Sequence, residues 1–259
     1  MKAAVRRKPV RSGGHVTPMT AKAAIARLAA LGSEKRKEHG AKVGIDAVEL
    51  LGVSTADVRR LGKEIGRDQT LADQLWDSGI HEAQILAVLV AEPAKVTETK
   101  LEKWLGRVRT WDLCDHLCNE LVLRLPDPDR FIRKWAKDNR LYFRRAAFAT
   151  MACRAVHAPQ IVSEEIDSFL KLICAVDDDR PHVMKAVSWA LREIGKIDLT
   201  AHDRAMAVAT DLIESGSKAA RWIGRDAMRE LETLVAVPER QRLLTAKSKM
   251  GRKAAMGKR

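Results

Sequence analysis

Tyrosine occurs once in the 259 residues, and all aromatic residues together make up 4%. Glycine and proline are also sparse, at 15 and 8 residues, while leucine, alanine, arginine, lysine and glutamate dominate. Few turn-formers and many helix-formers favour helix over sheet, and no useful stretch alternates with a strict period of two. No apolar run approaches the roughly 18 residues of a membrane span, and no signal-peptide core follows Met1, so a cytoplasmic protein is expected. The four cysteines, at 114, 118, 153 and 174, lack the spacing of a disulfide framework, which fits a reduced, intracellular setting.

Acidic residues are missing from both ends. Residues 1–15 carry five cations and residues 246–259 carry six, with no acid in either, so the ends supply eleven of the thirteen net positive charges. The body between them is close to neutral. If it binds nucleic acid it must sort its charges by face. The ends read as a solvated arm over 1–17 and a basic tail over 246–259, able to touch polyanions non-specifically, around one folded domain over 18–245.

The body reads as a series of helices. Thr17-Pro18 opens a short one over Met19–Leu31, a second is expected from Ser33 through Leu51, and Ser54-Thr55 caps a third to Ile65. Further helices are expected over Leu71–Trp76, His81–Ala91, Thr97–Val108, Thr110–Leu125, Asp129–Lys137, Tyr142–Val156, Glu164–Val176, His182–Ile197, Thr200–Glu214 and Lys218–Val235. A last turn is expected over Glu239–Thr245. The fold class is all-α. Arg145-Ala146, Lys185-Ala186 and Lys218-Ala219 recur 40 and then 33 residues apart near helix starts, and Trp189-x-x-Arg192-Glu193 is echoed by Trp222-x-x-Arg225-Asp226. Periods of this size predict a HEAT-like solenoid of stacked helix pairs with a basic concave groove.

Within that frame the informative stretch is Arg109–Cys118. Trp111 and Asp115 are four residues apart and share a helical face. Asp112, in the first turn after Thr110, favours the helix dipole and needs no further role. Lys185, Trp189, Arg192 and Lys196 form one cationic stripe with an aromatic set into it, and Lys218, Trp222, Arg225 and Arg229 form another. Such stripes suit a phosphate backbone, with indoles against sugar or base, although tryptophans buried between flanking cations would leave the same pattern. Arg144 and Arg145 are adjacent and cannot both face the groove. The register with Phe148 and Ala149 favours Arg145, and an ion pair between repeats is the competing use.

Cys114, His116 and Cys118 do not converge as a closed zinc site would require, so no metal is expected. The stretches Gly62–Gly66 and Gly216–Gly224 lack a phosphate-loop lysine and a preceding strand, so neither a nucleotide nor any other cofactor is expected.

Taken together, several runs resemble the HEAT-repeat DNA alkylation repair glycosylases, the AlkD-like group. They are Leu51-Gly52-Val53-Ser54-Thr55, Leu75-Trp76, His81-Glu82, Trp111-Asp112-Leu113-Cys114-Asp115, Arg145-Ala146-Ala147 and Lys185-Ala186-Val187-Ser188-Trp189-Ala190-Leu191-Arg192-Glu193. The resemblance covers roughly residues 20–235. It implies a monofunctional glycosylase that removes cationic N3- and N7-alkylated purines from double-stranded DNA, without a snug base pocket. It also implies that Trp111 and Trp189 contact the deoxyribose backbone, that Asp115 lies beside the anomeric carbon, and that Arg145 holds a phosphate. The chain departs from the group near its start, where the region around Val43 and Ser54 offers no aromatic or amide side chain toward DNA. Two other readings stay open: a non-catalytic solenoid that recognises distorted or branched DNA, and a scaffold that clamps an acidic protein partner. A monomer is the default expectation.

Overall fold

The computed structural model describes residues 19–45, 49–157, 161–215, 217–238 and 240–256. The arm over 1–17 lies outside the described residues. Among those described, fourteen α-helices follow one another: α1 Ala21–Ala29, α2 Glu34–Lys42, α3 Thr55–Ile65, α4 Gln69–Asp77, α5 His81–Val90, α6 Glu98–Leu105 and α7 Trp111–Glu120. The series continues with α8 Pro128–Trp135, α9 Leu141–His157, α10 Ser163–Cys174, α11 Pro181–Ile194, α12 Leu199–Glu214, α13 Lys218–Leu231 and α14 Lys249–Met256. The only strands among the described residues, β1 Leu234–Val235 and β2 Leu244–Thr245, form one short antiparallel pair.

Helix starts are written locally. Ser54, Asp68, Thr97, Asp198 and Ser217 each accept a backbone N–H from the first turn of α3, α4, α6, α12 and α13 respectively. Pro128 and Pro181 sit in the first turns of α8 and α11, where a missing N–H costs nothing.

Alternate helices stack. α3 packs on α5, α5 on α7, α7 on α9, α9 on α11 and α11 on α13, while α4, α8, α10 and α12 back them from outside. The result is a two-layer solenoid. α9 is its centre, and the small residues Ala146, Ala147 and Ala149 are fully buried there, which lets α7 and α11 approach closely from either side. The outer layer carries the larger aromatics: Trp76 stacks on Trp104 with ring centroids 4.4 Å apart, and Trp135 donates its indole N–H to Glu102.

Three expectations are corrected. The second helix ends at Lys42 instead of running to Leu51, because Gly44 adopts φ +80° and breaks the ladder. The segment expected as a last helical turn contains β2, paired with β1 through Leu234–Thr245 and Val235–Leu244. Most of the segment read as a solvated basic tail is folded: α14 packs on the β pair, and Gly251 is buried because a Cβ there would collide with the Thr245 carbonyl.

Candidate functional site

The inner helices line one cleft of about 900 Å³, into which Trp111, Asp112, Asp115 and His116 of α7 face together with Trp189 and Glu193 of α11. Its opposite wall is built from α2, the turn before α3, and His81 of α5. That turn is held by one side chain. Glu82, 3% exposed, accepts N–H groups from Leu51, Gly52 and Val53 at 2.9, 2.7 and 3.0 Å. Gly52 has φ +77°, and a Cβ there would meet the Ser33 carbonyl, so only glycine fits.

At the cleft floor, Asp115 is neither free nor withdrawn. Arg145 donates from Nε to Oδ1 at 3.0 Å and from Nη2 to Oδ2 at 2.7 Å, a bidentate pair that crosses from α9 to α7. The third arm of the guanidinium, Nη1, donates to the His182 carbonyl at 2.7 Å, which ties α11 to the same point. The Asp115 side chain keeps 21% of its surface exposed to the cleft, whereas Arg145 keeps 6%. Burial pushes the Asp115 carboxyl above its usual range, against the pull of Arg145, and the neighbouring charge of Asp112 adds to the rise. Arg145 itself is lowered by burial but raised on balance by Asp115.

Both indoles line the same cleft. Trp111 is half-buried, donates its N–H to the Val43 carbonyl at 3.0 Å, and has the Arg145 guanidinium 5.9 Å from its ring centroid. Val43 thus contributes its backbone where the sequence offers no polar side chain. Trp189 is partly buried, packed on the core, and lines the cleft.

A second acid–base pair adjoins the first. His81 Nε2 lies 2.9 Å from Asp112 Oδ2, and His81 is 2% exposed. Burial alone would raise the Asp112 carboxyl, but the hydrogen bond and charge of His81 hold it below its ordinary range. Sequence reasoning assigned Asp112 to the helix dipole and missed this partner. No local signal links positions 81 and 112; only the packing of α5 on α7 does. His116 also faces the cleft, its pKa lowered by burial and by Arg59. Cys114 and Cys118 point the other way, with their Sγ atoms against the carbonyls of Tyr142 and Ala146.

The predicted cations fall into two groups. Arg144 is engaged structurally: it donates to Asp178 at 3.0 Å, to the Asp138 carbonyl and to Asn139. Arg145, expected on a phosphate, is occupied as described. Arg192 and Lys196 both meet Glu230 at 2.8 Å, and Lys196 also meets Glu193, so the stripe on α11 is largely neutralised by α13 and by itself. Lys185, Lys218 and Arg225 are exposed and have no ion-pair partner among the described residues. Trp222 is 37% exposed, near Lys218 and Arg225 in the N-terminal half of α13, and none of the three lines the cleft.

Comparison with known proteins identifies the fold and the family. No curated protein matches the chain. A solved structure matches with a TM-score of 0.68 over 92% of this chain and 95% of that one, at 17% identity, which establishes a shared fold. It is described as "a new family of proteins related to the HEAT-like repeat DNA glycosylases with affinity for branched DNA structures". The solenoid is therefore of the HEAT-like kind. The family model of the DNA alkylation repair enzymes matches residues 24–231, from the first inner helices through the end of α13, and the chain belongs to that family.

Proposed function

We propose that the protein is a DNA glycosylase that excises cationic N3- and N7-alkylated purines from double-stranded DNA, with Asp115 as the catalytic carboxylate. The observation that carries this reading is the Asp115 carboxylate, which lines an open cleft together with the indoles of Trp111 and Trp189 and is gripped at both oxygens by the Arg145 guanidinium. An alkylated purine already bears a positive charge, so it takes the electron pair of the C1′–N bond and leaves as a neutral base without a general acid. Positive charge then builds on the sugar, as in glycoside hydrolysis. A fixed negative charge stabilises that oxocarbenium-like state, and the same carboxylate orients the water that adds to C1′ and releases its proton. The faces of Trp111 and Trp189 add attraction for a cationic sugar.

Arg145 acts here as a positioning residue. It fixes both carboxylate oxygens at once, and two charge-assisted hydrogen bonds favour the ionised form that the chemistry needs. The phosphate-binding role then falls to Lys185 and, near Trp222 on α13, to Lys218 and Arg225, none of which has an ion-pair partner among the described residues.

The test is release of 7-methylguanine or 3-methyladenine from methylated duplex DNA. Wild type is expected to release free base, and Asp115→Asn to lose release while still binding DNA. If wild type leaves methylated DNA intact, the catalytic reading is overturned. The second reading, a non-catalytic binder of branched duplex, draws on the affinity of the structurally similar protein and on the engagement of Asp115 with Arg145. It predicts preferential binding to a four-way junction over linear duplex, unchanged in Asp115→Asn.

A further inference from the structure

We propose that α14 and the segment leading into it form a second, accessory clamp on the DNA backbone, docked at the rim of the cleft. The proposal rests on the reading that the cleft takes duplex DNA, and it concerns residues beyond the part of the chain that the family model matches, which ends at residue 231.

Anchoring is the first observation. Arg242 donates to the Ala155 carbonyl in the last turn of α9, and to the carbonyl and, at 2.9 Å, the carboxylate of Glu193 in the last turn of α11. A cation at the C-terminal ends of two helices meets the negative ends of both dipoles. Leu243 N–H donates to the Lys196 carbonyl at 2.9 Å, and Ala246 N–H to the Thr233 carbonyl at 2.7 Å. Glu193 lines the cleft one helical turn beyond Trp189. The segment is therefore fixed to the cleft's own wall, and the buried Gly251 locks α14 onto β2.

Charge is the second, independent observation. From residue 240 to residue 256 there is no acid. Lys247, Lys249, Arg252 and Lys253 are exposed, and none has an ion-pair partner among the described residues. This contrasts with α11, where Arg192 and Lys196 are neutralised by Glu230. A folded, anchored element that keeps four uncompensated cations together has a polyanion as its complement. The position specifies which. The four residues from Trp189 to Glu193 rise about 6 Å, and the five residues from Arg242 to Lys247 span at most about 18 Å. A strand that passes Trp189 places a phosphate every 3.4 Å or so, so Lys247, at the start of the basic segment, lies no further than about seven phosphate spacings from Trp189. Lesion-independent phosphate contact of this kind raises affinity without touching the chemistry.

The experiment measures binding of the full chain to an unmodified 25-base-pair duplex across a salt series. It compares wild type with the triple variant Lys247→Gln, Lys249→Gln, Lys253→Gln. A charge-matched control carries Lys103→Gln, Lys137→Gln and Lys171→Gln, on α6, after α8 and on α10, outside the residues that line the cleft. Each lost phosphate contact lowers the slope of log K against log salt by about 0.9. The α14 variant is expected to lose about 2 to 3 from the slope, and the control less than about 1. A third variant, Arg242→Gln, keeps the cations of α14 but frees the anchor, and is expected to lose affinity in between. Equal losses in the α14 variant and the control, or a wild-type slope in both, overturn the clamp while leaving DNA binding intact. Absence of any binding by wild type overturns the clamp and the underlying reading together, and base release by Asp115 is scored separately.

Discussion

The Asp115–Arg145 pair makes a quantitative prediction through a double-mutant cycle. Arg145 is 6% exposed and Asp115 21%, so neither charge regains full hydration when its partner is removed. Breaking a buried pair costs about 3–5 kcal/mol, mainly because one charge stays behind uncompensated. Arg145→Met leaves a carboxyl that opens to the cleft and can relieve its charge by taking up a proton, which puts its loss near the lower limit, about 3 kcal/mol. Asp115→Asn leaves the more deeply buried guanidinium with the His182 carbonyl and one amide oxygen as acceptors, for a loss of about 3–4 kcal/mol. The double variant buries no charge, so its loss is expected to fall short of the sum by at least about 2 kcal/mol. Urea unfolding with an unchanged m-value reads all three. Additivity to within about 0.5 kcal/mol would refute the idea that the pair is a buried, coupled unit.

The same variants separate positioning from catalysis by their pH dependence. Asp115 binds its proton more tightly in the native state than in the unfolded chain, since burial raises its pKa. This group therefore costs stability as pH rises from the unfolded value of 3.8 through the raised folded value, and the cost is removed as pH falls again. Asp115→Asn is expected to remove that slope. Arg145→Met removes the group that pulls the pKa down, so the window widens upward. On the proposed chemistry, base release in Arg145→Met is weak near neutrality and recovers toward alkaline pH, while in Asp115→Asn it is lost throughout. Equal, pH-independent losses in the two variants would remove Arg145 from the positioning role.

Two further outcomes follow from the cleft's other wall. Glu82→Ala strands three N–H groups, a buried one at Gly52 and part-buried ones at Leu51 and Val53, and is expected to lower stability by about 3 kcal/mol, with Glu82→Gln recovering part of it; a urea midpoint within error of wild type would show that the turn holds itself. His81→Asn removes the partner that keeps Asp112 below 3.8; a depressed carboxyl contributes stability above its unfolded pKa and loses it as pH falls through the folded one, so the difference from wild type is expected to shrink below about pH 4, and a constant difference down to acid unfolding would argue against the pair.

The fold was legible because it repeats and because its caps are local. The helix starts expected at Ser54-Thr55, Thr97 and Lys218 are kept by the structure within a residue. The face shared by Trp111 and Asp115 follows from helical spacing alone. What spacing could not supply is which cation answers which acid. Arg145 meets Asp115 thirty residues away, His81 meets Asp112 at thirty-one, and Arg192 meets Glu230 at thirty-eight. These separations are about one repeat, so the pairing is set by the stacking of inner helices and is invisible within any single one. The C-terminal segment was misread for a related reason: its cations suggested a solvated tail, while its fold depends on Arg242 finding α9 and α11 at separations of 87 and 49 residues.

That pattern of pairing also arranges the field. On the inner helices three arginines are spent against carboxylates: Arg145 on Asp115, Arg59 on Glu120, Arg192 on Glu230. Asp112, Asp115 and Glu193 line the cleft, whereas Lys185, Lys218 and Arg225, which have no ion-pair partner among the described residues, do not, and Arg36 is an exposed cation on the opposite wall. For the proposed chemistry this is the required sorting. Phosphates carry their own negative charge and are best met by exposed cations, where salt screening leaves binding reversible. A cationic sugar is transient and is best met by a negative charge in a partly dehydrated cleft, where the interaction is strongest. A floor as basic as the chain's overall charge would repel the charge that develops as the base leaves, so the near-neutral body, divided by face, accounts for a function that the net charge of +13 by itself obscures.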